Sequence, residues 1–262
     1  MYKRVEGFLL FFASISSILV LFILSPIIAL FVSVDPDIFS KTWLEEGDLA
    51  FEAWNALLLT LEAATLSSTI LLLTGIPLAY ILTHHDFPGK TLLEGLIDIP
   101  LMIPHSVAGI MLILAFSRNG LYGGLVNALG VTIVDNFWGV VAAMVFVSTP
   151  LMIDTLKLGY ENIDVTLEYV ARSLGASKWV VFRKIDLPLL IPSVATGFLL
   201  SWARAVSEVG AILIIAYYPK TMNVLIYEWF NTYGLRYAVA LSVVLVLFSL
   251  LVFIVLKMVK RK

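Results

Sequence analysis

Two opposite charges sit four residues apart in an apolar run: Arg204 and Glu208. That spacing lets them pair along one helix face. A charge at membrane depth is costly and faces a bundle interior or a water-filled cavity. A guanidinium also donates paired hydrogen bonds to the oxygens of a tetrahedral anion. For Arg204 the stronger reading is a neutralised pair that fixes helix packing; direct contact with an anion is the alternative. Ser193, Gly197 and Ser201 continue the same face at the same spacing, and small residues four apart let helices approach closely. This face is expected to line a pathway or a subunit interface. A second cluster, Asp98, Pro100, Pro104, His105 and Ser106, combines helix-breaking prolines with polar groups. Broken helices at membrane depth line cavities or are buried, so the cluster reads as a gate or as a plain kink. His105 by itself reads as a packed core histidine. Glu62 is expected to be buried and paired. His84 and His85 read as solvated loop residues, because no further ligands converge on them in sequence. The acidic run Glu45, Glu46, Asp48 lacks the ordered spacing of a calcium loop. No metal site is expected.

The elements that must position these groups follow from composition and periodicity. Of 262 residues, 60% are apolar and 14% charged, with no cysteine, against about 45–50% and 25% in soluble domains. The missing cysteines exclude a disulfide framework and a thiolate metal site. A span needs roughly 20 apolar residues. Six are expected: 7–33, 54–83, 92–116 (interrupted by Pro100 and Pro104), 137–156, 189–217 and 235–256. Of the 17 lysines and arginines, twelve fall on the side holding both termini and four on the other, with Arg204 inside a span. The positive-inside rule therefore places both termini in the cytoplasm. The first span is too long for a signal h-region and reads as retained. The chain is expected to be all-α, one membrane domain over 1–262.

Between the fourth and fifth spans lies a polar island, LEYVARSLGASKWVVFRKIDLP, Leu167 to Pro188. Leu167, Val170, Ala171 and Leu174 form one apolar helix face. Glu168 and Arg172 stand in the favourable i,i+4 order. Gly175 suits a left-handed helix end, and Ser177 caps a second short helix predicted over Lys178 to Ile185. Trp179, Phe182 and Ile185 supply apolar contact. Lys178, Arg183 and Lys184 can pair with acidic groups or lipid headgroups. The unit is too polar to span and too apolar on one face to stay bare, so it calls for a docking partner. The alternative is an amphipathic helix on the membrane surface.

The island resembles the EAA loop of binding-protein-dependent ABC importer permeases, within residues 160–188. Gly175, Ile185, Leu187 and Pro188 match that pattern at its spacing, as does the run Ala171, Arg172, Ser173, Leu174, Gly175, Ala176, Ser177. It departs at the start: Tyr169 stands at the family's Glu position and Val170 at its first Ala, with Glu168 one residue earlier. Arg118–Gly124 and Ala203–Phe230 are similar to the molybdate/tungstate permease subgroup, particularly its archaeal type. The resemblance implies a homodimer of permease subunits in the cell membrane and two ABC ATPase subunits on the cytoplasmic loops. It also implies an extracytoplasmic binding protein delivering molybdate or tungstate. No cofactor is expected on this chain; ATP and Mg belong to the partner ATPase, since no Walker A pattern is present. Nucleic acid is not an expected partner. A sulfate or thiosulfate permease is the alternative of the same class. An ion-coupled secondary transporter would show internal repeats, and an intramembrane enzyme a nucleophile–base or metal constellation; neither pattern is found.

Overall fold

In the computed structural model, residues 2–259 are described, with side chains from 7 to 254. The terminal basic residues used for orientation, Lys3, Arg4, Lys257, Lys260, Arg261 and Lys262, fall outside the described side chains. Among the described residues the structure is helical with no strand. Five helices are long and apolar enough to cross a membrane: Gly7–Val32, Asp48–His84, Phe137–Glu161, Lys178–Val206 and Leu235–Ile254.

One compact unit comprises residues up to Ala53 together with Ile226–Phe248. It contains α1 (Tyr2–Val32), α2 (Pro36–Trp43) and the start of α3 (Asp48–His84). It also holds most of α12 (Met222–Thr232) and of α13 (Leu235–Val259). Asp35 caps α2, accepting from the Asp37 and Ile38 amides, and Pro36 opens the helix, as expected for a first turn whose amides lack intrahelical partners. The Trp43 indole N–H donates to the Ala240 carbonyl at 2.9 Å. The apolar side chains of α1 stay exposed along its length, as a lipid or protein partner would require.

The second unit comprises Trp54–Leu225 with Ser249 onward. Its elements after α3 are α4 (Lys90–Met102), α5 (His105–Phe116), α6 (Gly123–Ala128) and α7 (Phe137–Glu161). Then come α8 (Val165–Ser173), α9 (Lys178–Val181), a π segment (Phe182–Asp186), α10 (Leu187–Val206) and α11 (Gly210–Ile215). Leu71, Ala79, Met152, Leu156, Tyr160 and Leu190 form a buried core of α3, α7 and α10. Gly159 permits that packing: a Cβ there would lie 2.5 Å from the Ser193 Cβ and 2.7 Å from Leu190 Cδ1.

Two expectations about spans can be compared with the helices. The third, expected to be interrupted by Pro100 and Pro104, breaks at Pro104 while Pro100 lies inside a helix. Pro104 has no N–H to donate and drives Ile103 into an extended conformation (ψ 149°), as a residue before proline prefers. The result is a 13-residue helix and a 12-residue helix, the second a shorter apolar helix below spanning length. The fifth span ends at Val206, not near Tyr217: Ser207–Val209 is not helical, and α11 follows as a separate six-residue piece.

Candidate functional site

The island folds as a capped helix, a left-handed glycine and a second capped start. Asp164 precedes α8 and accepts from the Thr166 amide at 2.9 Å. Hydrogen bonding from Thr166 holds the Asp164 carboxyl below the usual carboxylate range. At the other end the Gly175 amide donates to Arg172 O and the Ala176 amide to Ala171 O, each at 3.0 Å, with Gly175 at φ +92°. That pair of bonds is the Schellman closure, and its left-handed residue favours glycine. The Ser177 hydroxyl accepts from the Val180 amide at 3.4 Å.

The predicted second short helix is not a separate element. α9 runs through the π segment into α10, with the Leu187 amide donating to Phe182 O five residues back. Pro188 cannot donate in the α-helical pattern, and the wider π register, which inserts one residue into the helix, sits directly before it. Lys178–Val206 is therefore one helical body of 29 residues.

The loop divides its side chains between two sides. Tyr169 (67% exposed), Leu174 (84%) and Trp179 (68%), with Leu167 and Val170, remain uncovered. Ala171 and Ala176 are half-buried, Val181 is buried, and Arg172, Arg183 and Pro188 are exposed. Glu168 turns toward α3, where His84 Nε2 donates to its Oε1 at 3.0 Å. His84 Nδ1 lies 3.0 Å from the Tyr80 carbonyl, and the ring stacks on Tyr80 with centroids 4.1 Å apart. His84 is thus half-buried and engaged, contrary to the solvated loop residue expected; His85 is exposed. A cavity of about 340 Å³ opens beside this contact, lined among others by His85, Glu161, Arg172 and Lys178. Asp186 is fully buried, and neither carboxylate oxygen has a hydrogen-bond partner among the described residues.

The second polar constellation forms where α5 begins and α10 ends. Glu208 lies beyond the helix end, not on the α10 face, and its side chain is fully buried. Its Oε2 is 2.8 Å from Arg204 Nη2 and 3.0 Å from His105 Nδ1. Its Oε1 accepts from the Ala211 amide at 2.7 Å. Arg204 also reaches the Ser207 hydroxyl at 3.3 Å and His105 Nε2 at 2.9 Å. Asn223 Nδ2 donates to the Val206 and Glu208 carbonyls at 2.6 and 3.2 Å, satisfying acceptors that a helix end leaves open. Gly210 makes the junction possible, because a Cβ there would meet the His105 Cβ at 2.7 Å. The carboxylate is desolvated and held by two side chains and one amide, while the His105 side chain is 46% exposed. Such a group presents a cationic and hydrogen-bonding rim on a fixed, buried anion.

Sequence reading missed His105 in this role by assigning it to the core. The legible signal was its position as the first helical residue after Pro104. The small-residue face meets a helix of its own chain. Gly197 faces Met152 and Thr155, and the Ser201 hydroxyl donates to Ser148 O at 3.4 Å. With Ser193 against Gly159, this face packs on α7 of the same chain. Asp98 and Pro100 belong to α4, with Pro100 buried and Asp98 Oδ1 sequestered without a partner among the described residues. Pro104 and Ser106 are exposed at the α5 start. Glu62 is exposed on α3, contrary to the buried pair expected.

Residues 72–262 match the family model described as "Binding-protein-dependent transport system inner membrane component". The chain is 44% identical over 246 residues to a molybdate/tungstate transport system permease protein of Thermococcus kodakarensis, covering 94% of this chain and 93% of that protein. It is 36% identical over 219 residues to a "Probable sulfate transport system permease protein" of Chlorella vulgaris, covering 81% and 82%. Among solved structures it resembles a chain of a bacterial alginate ABC transporter in complex with alginate pentasaccharide-bound periplasmic protein. That match has a TM-score of 0.73 at 17% identity and covers 99% of this chain and 95% of that one.

Proposed function

Because the chain belongs to the family of binding-protein-dependent transport system inner membrane components, we propose that it is the permease subunit of an ATP-driven importer carrying molybdate or tungstate into the cytoplasm. The observation that carries this reading is the likeness to a molybdate/tungstate permease over 94% of the chain. Likeness to the sulfate permease is lower in both identity and coverage, which ranks sulfate second.

In this reading the α4–α5 pair supplies the sixth crossing, and both termini lie in the cytoplasm with the α8–α9 loop. Two copies of the chain form the pathway. Two ATPase subunits bind the exposed face of α8, and a binding protein delivers the anion on the opposite side. The geometry supports a direct mechanical link. Lys178 to Arg204 lies on one helical body, about 39 Å at 1.5 Å per residue. A displacement of the loop by the ATPase therefore reaches the Arg204–Glu208–His105 junction along one continuous helical body. The junction, at two helix breaks, is where such a displacement can open or close a passage, and broken helices at membrane depth are tolerated where they border a cavity. Glu208 keeps Arg204 neutralised, which suits a transporter that must release a dianion rather than retain it.

Reconstitution with the cognate ATPase and binding protein tests the reading. ATPase activity is expected to rise with molybdate or tungstate and less with sulfate. An intact complex stimulated by none of the three would refute the substrate assignment.

A further inference from the structure

Beside the docking loop, α3 and the start of the Lys178–Val206 helix enclose a second, apolar recess. It is a groove of about 460 Å³ lined by Pro77, Tyr80, Ile81, Lys178, Trp179 and Phe182. Trp179 and Phe182 stack with centroids 5.5 Å apart and an interplanar angle of 27°. Trp179 and Ile81 remain largely exposed. Five of the six lining residues present carbon or ring surface, and the sixth is a cation.

The depth of the groove follows from helix length. The 37-residue α3 is about 55 Å long, against a hydrocarbon core of about 30 Å. Centred in the bilayer, its His84 end projects about 13 Å past the hydrocarbon. Pro77 lies seven residues, about 10 Å, back from that end. The groove therefore sits where acyl chains meet headgroups, the level at which Trp and Tyr are enriched. A soluble partner docking on α8 would have to enter the headgroup layer to fill it. Lys178, Arg183 and Lys184 crowd the first turns of the same helix, and none of them forms an ion pair among the described residues. An apolar slot at this depth with unneutralised cations at its rim matches a molecule with a chain and an anionic head.

We propose that the groove between Pro77–Ile81 and Lys178–Phe182 is a binding site for an anionic phospholipid. An acyl chain lies against Trp179 and Phe182, and the phosphate lies near Lys178. The site abuts the Glu168–His84 contact, since Tyr80 and Lys178 line both cavities. Occupancy therefore bears on the root of the docking loop. The inference rests on the membrane placement of these helices and not on which anion is carried.

The test uses the purified full chain in mixed micelles, with brominated phosphatidylglycerol or brominated phosphatidylcholine as quencher. The difference in quenching between the unaltered protein and Trp179→Phe isolates the Trp179 signal. Half-quenching of Trp179 is expected at about fivefold lower mole fraction of the anionic lipid, the preference of one lysine near a charged headgroup. Lys178→Gln, taken from the monodisperse fraction, is expected to bring the two lipids to near parity while Trp179 remains quenched. Equal quenching by both lipids in the unaltered protein would reduce the site to ordinary lipid contact and overturn the proposal. Failure of both lipids to quench Trp179 would overturn it too, pointing to a protein occupant. Neither outcome depends on transport or ATPase activity, so loss of the substrate reading leaves this result interpretable.

Discussion

Removing the guanidinium from the α5–α10 junction is expected to destabilise the protein more than removing both members of the pair would suggest. Arg204 Nη2 and Glu208 Oε2 are 2.8 Å apart, and the Glu208 side chain is fully buried. With an effective dielectric near 20, two unit charges at that distance attract by about 6 kcal/mol. Much of this is cancelled by the cost of taking the carboxylate out of water, so the pair contributes little net stability while intact. Breaking it is different, because the buried charge loses its partner, at about 3–5 kcal/mol. His105 at 3.0 Å and the Ala211 amide at 2.7 Å still face Glu208, which places Arg204→Gln near the lower end, about 3 kcal/mol. Glu208→Gln should cost less, about 1–2 kcal/mol, because the Arg204 head keeps some access to water. The double variant Arg204→Gln/Glu208→Gln should resemble Glu208→Gln alone, giving a coupling of about 3 kcal/mol, the whole loss of the Arg204→Gln single variant. Reversible unfolding in detergent, followed by circular dichroism across all four proteins, measures this cycle. If the double variant loses the sum of the two single losses, the junction is not an ion pair in the sense argued. Transport by Arg204→Gln with normal assembly and normal ATPase stimulation would exclude an essential pathway role for the guanidinium.

His84→Ala and Glu168→Ala should each lower substrate-stimulated ATPase activity by a similar factor, and the double variant by little more. His84→Gln/Glu168→Gln should restore part of it, since two amides can rebuild the bond; independent, multiplying losses would argue against a shared contact. Tyr169→Ala and Leu174→Asp should reduce co-purification of the ATPase by about tenfold or more, the effect of losing a contact worth over 1 kcal/mol, without shifting the unfolding midpoint; unaltered capture would move the docking surface elsewhere. Gly109→Ala should cost about 1–3 kcal/mol, because its Cβ would lie 2.6 Å from Ile214 Cβ and 2.8 Å from Ala211 O. Gly124→Ala, with nothing within 4 Å, should stay within about 0.5 kcal/mol, and equal effects in thermal unfolding would contradict the α5–α11 packing.

The division between sequence and structure follows the range of each interaction. Composition and hydropathy were enough for the five long helices, because burial in lipid is a property of each segment taken alone. The Gly175 turn, the Ser177 cap and the i,i+4 order of Arg204 and Glu208 were legible for the same reason: their partners lie within four residues. Pro104 signalled a break, but not that it would leave two short helices, since that depends on what each half packs against. The union of α9 with α10 was illegible because a π register carries no compositional mark around Pro188. The pairing of Glu168 with His84, 84 residues away, and of Glu208 with His105, 103 residues away, belongs to tertiary structure alone. No local periodicity reports which distant helix arrives beside a given side chain. The same limit applies to the Ser193–Gly197–Ser201 face: a small-residue stripe specifies that some surface approaches closely, and only packing shows that α7 is such a surface. The sequence by itself determined a helical membrane chain with a polar loop that turns at Gly175. The fold decided that Glu168 is anchored inward, that Tyr169 and Leu174 are left exposed, and that one helical body runs from the loop to Arg204, beside the buried Glu208.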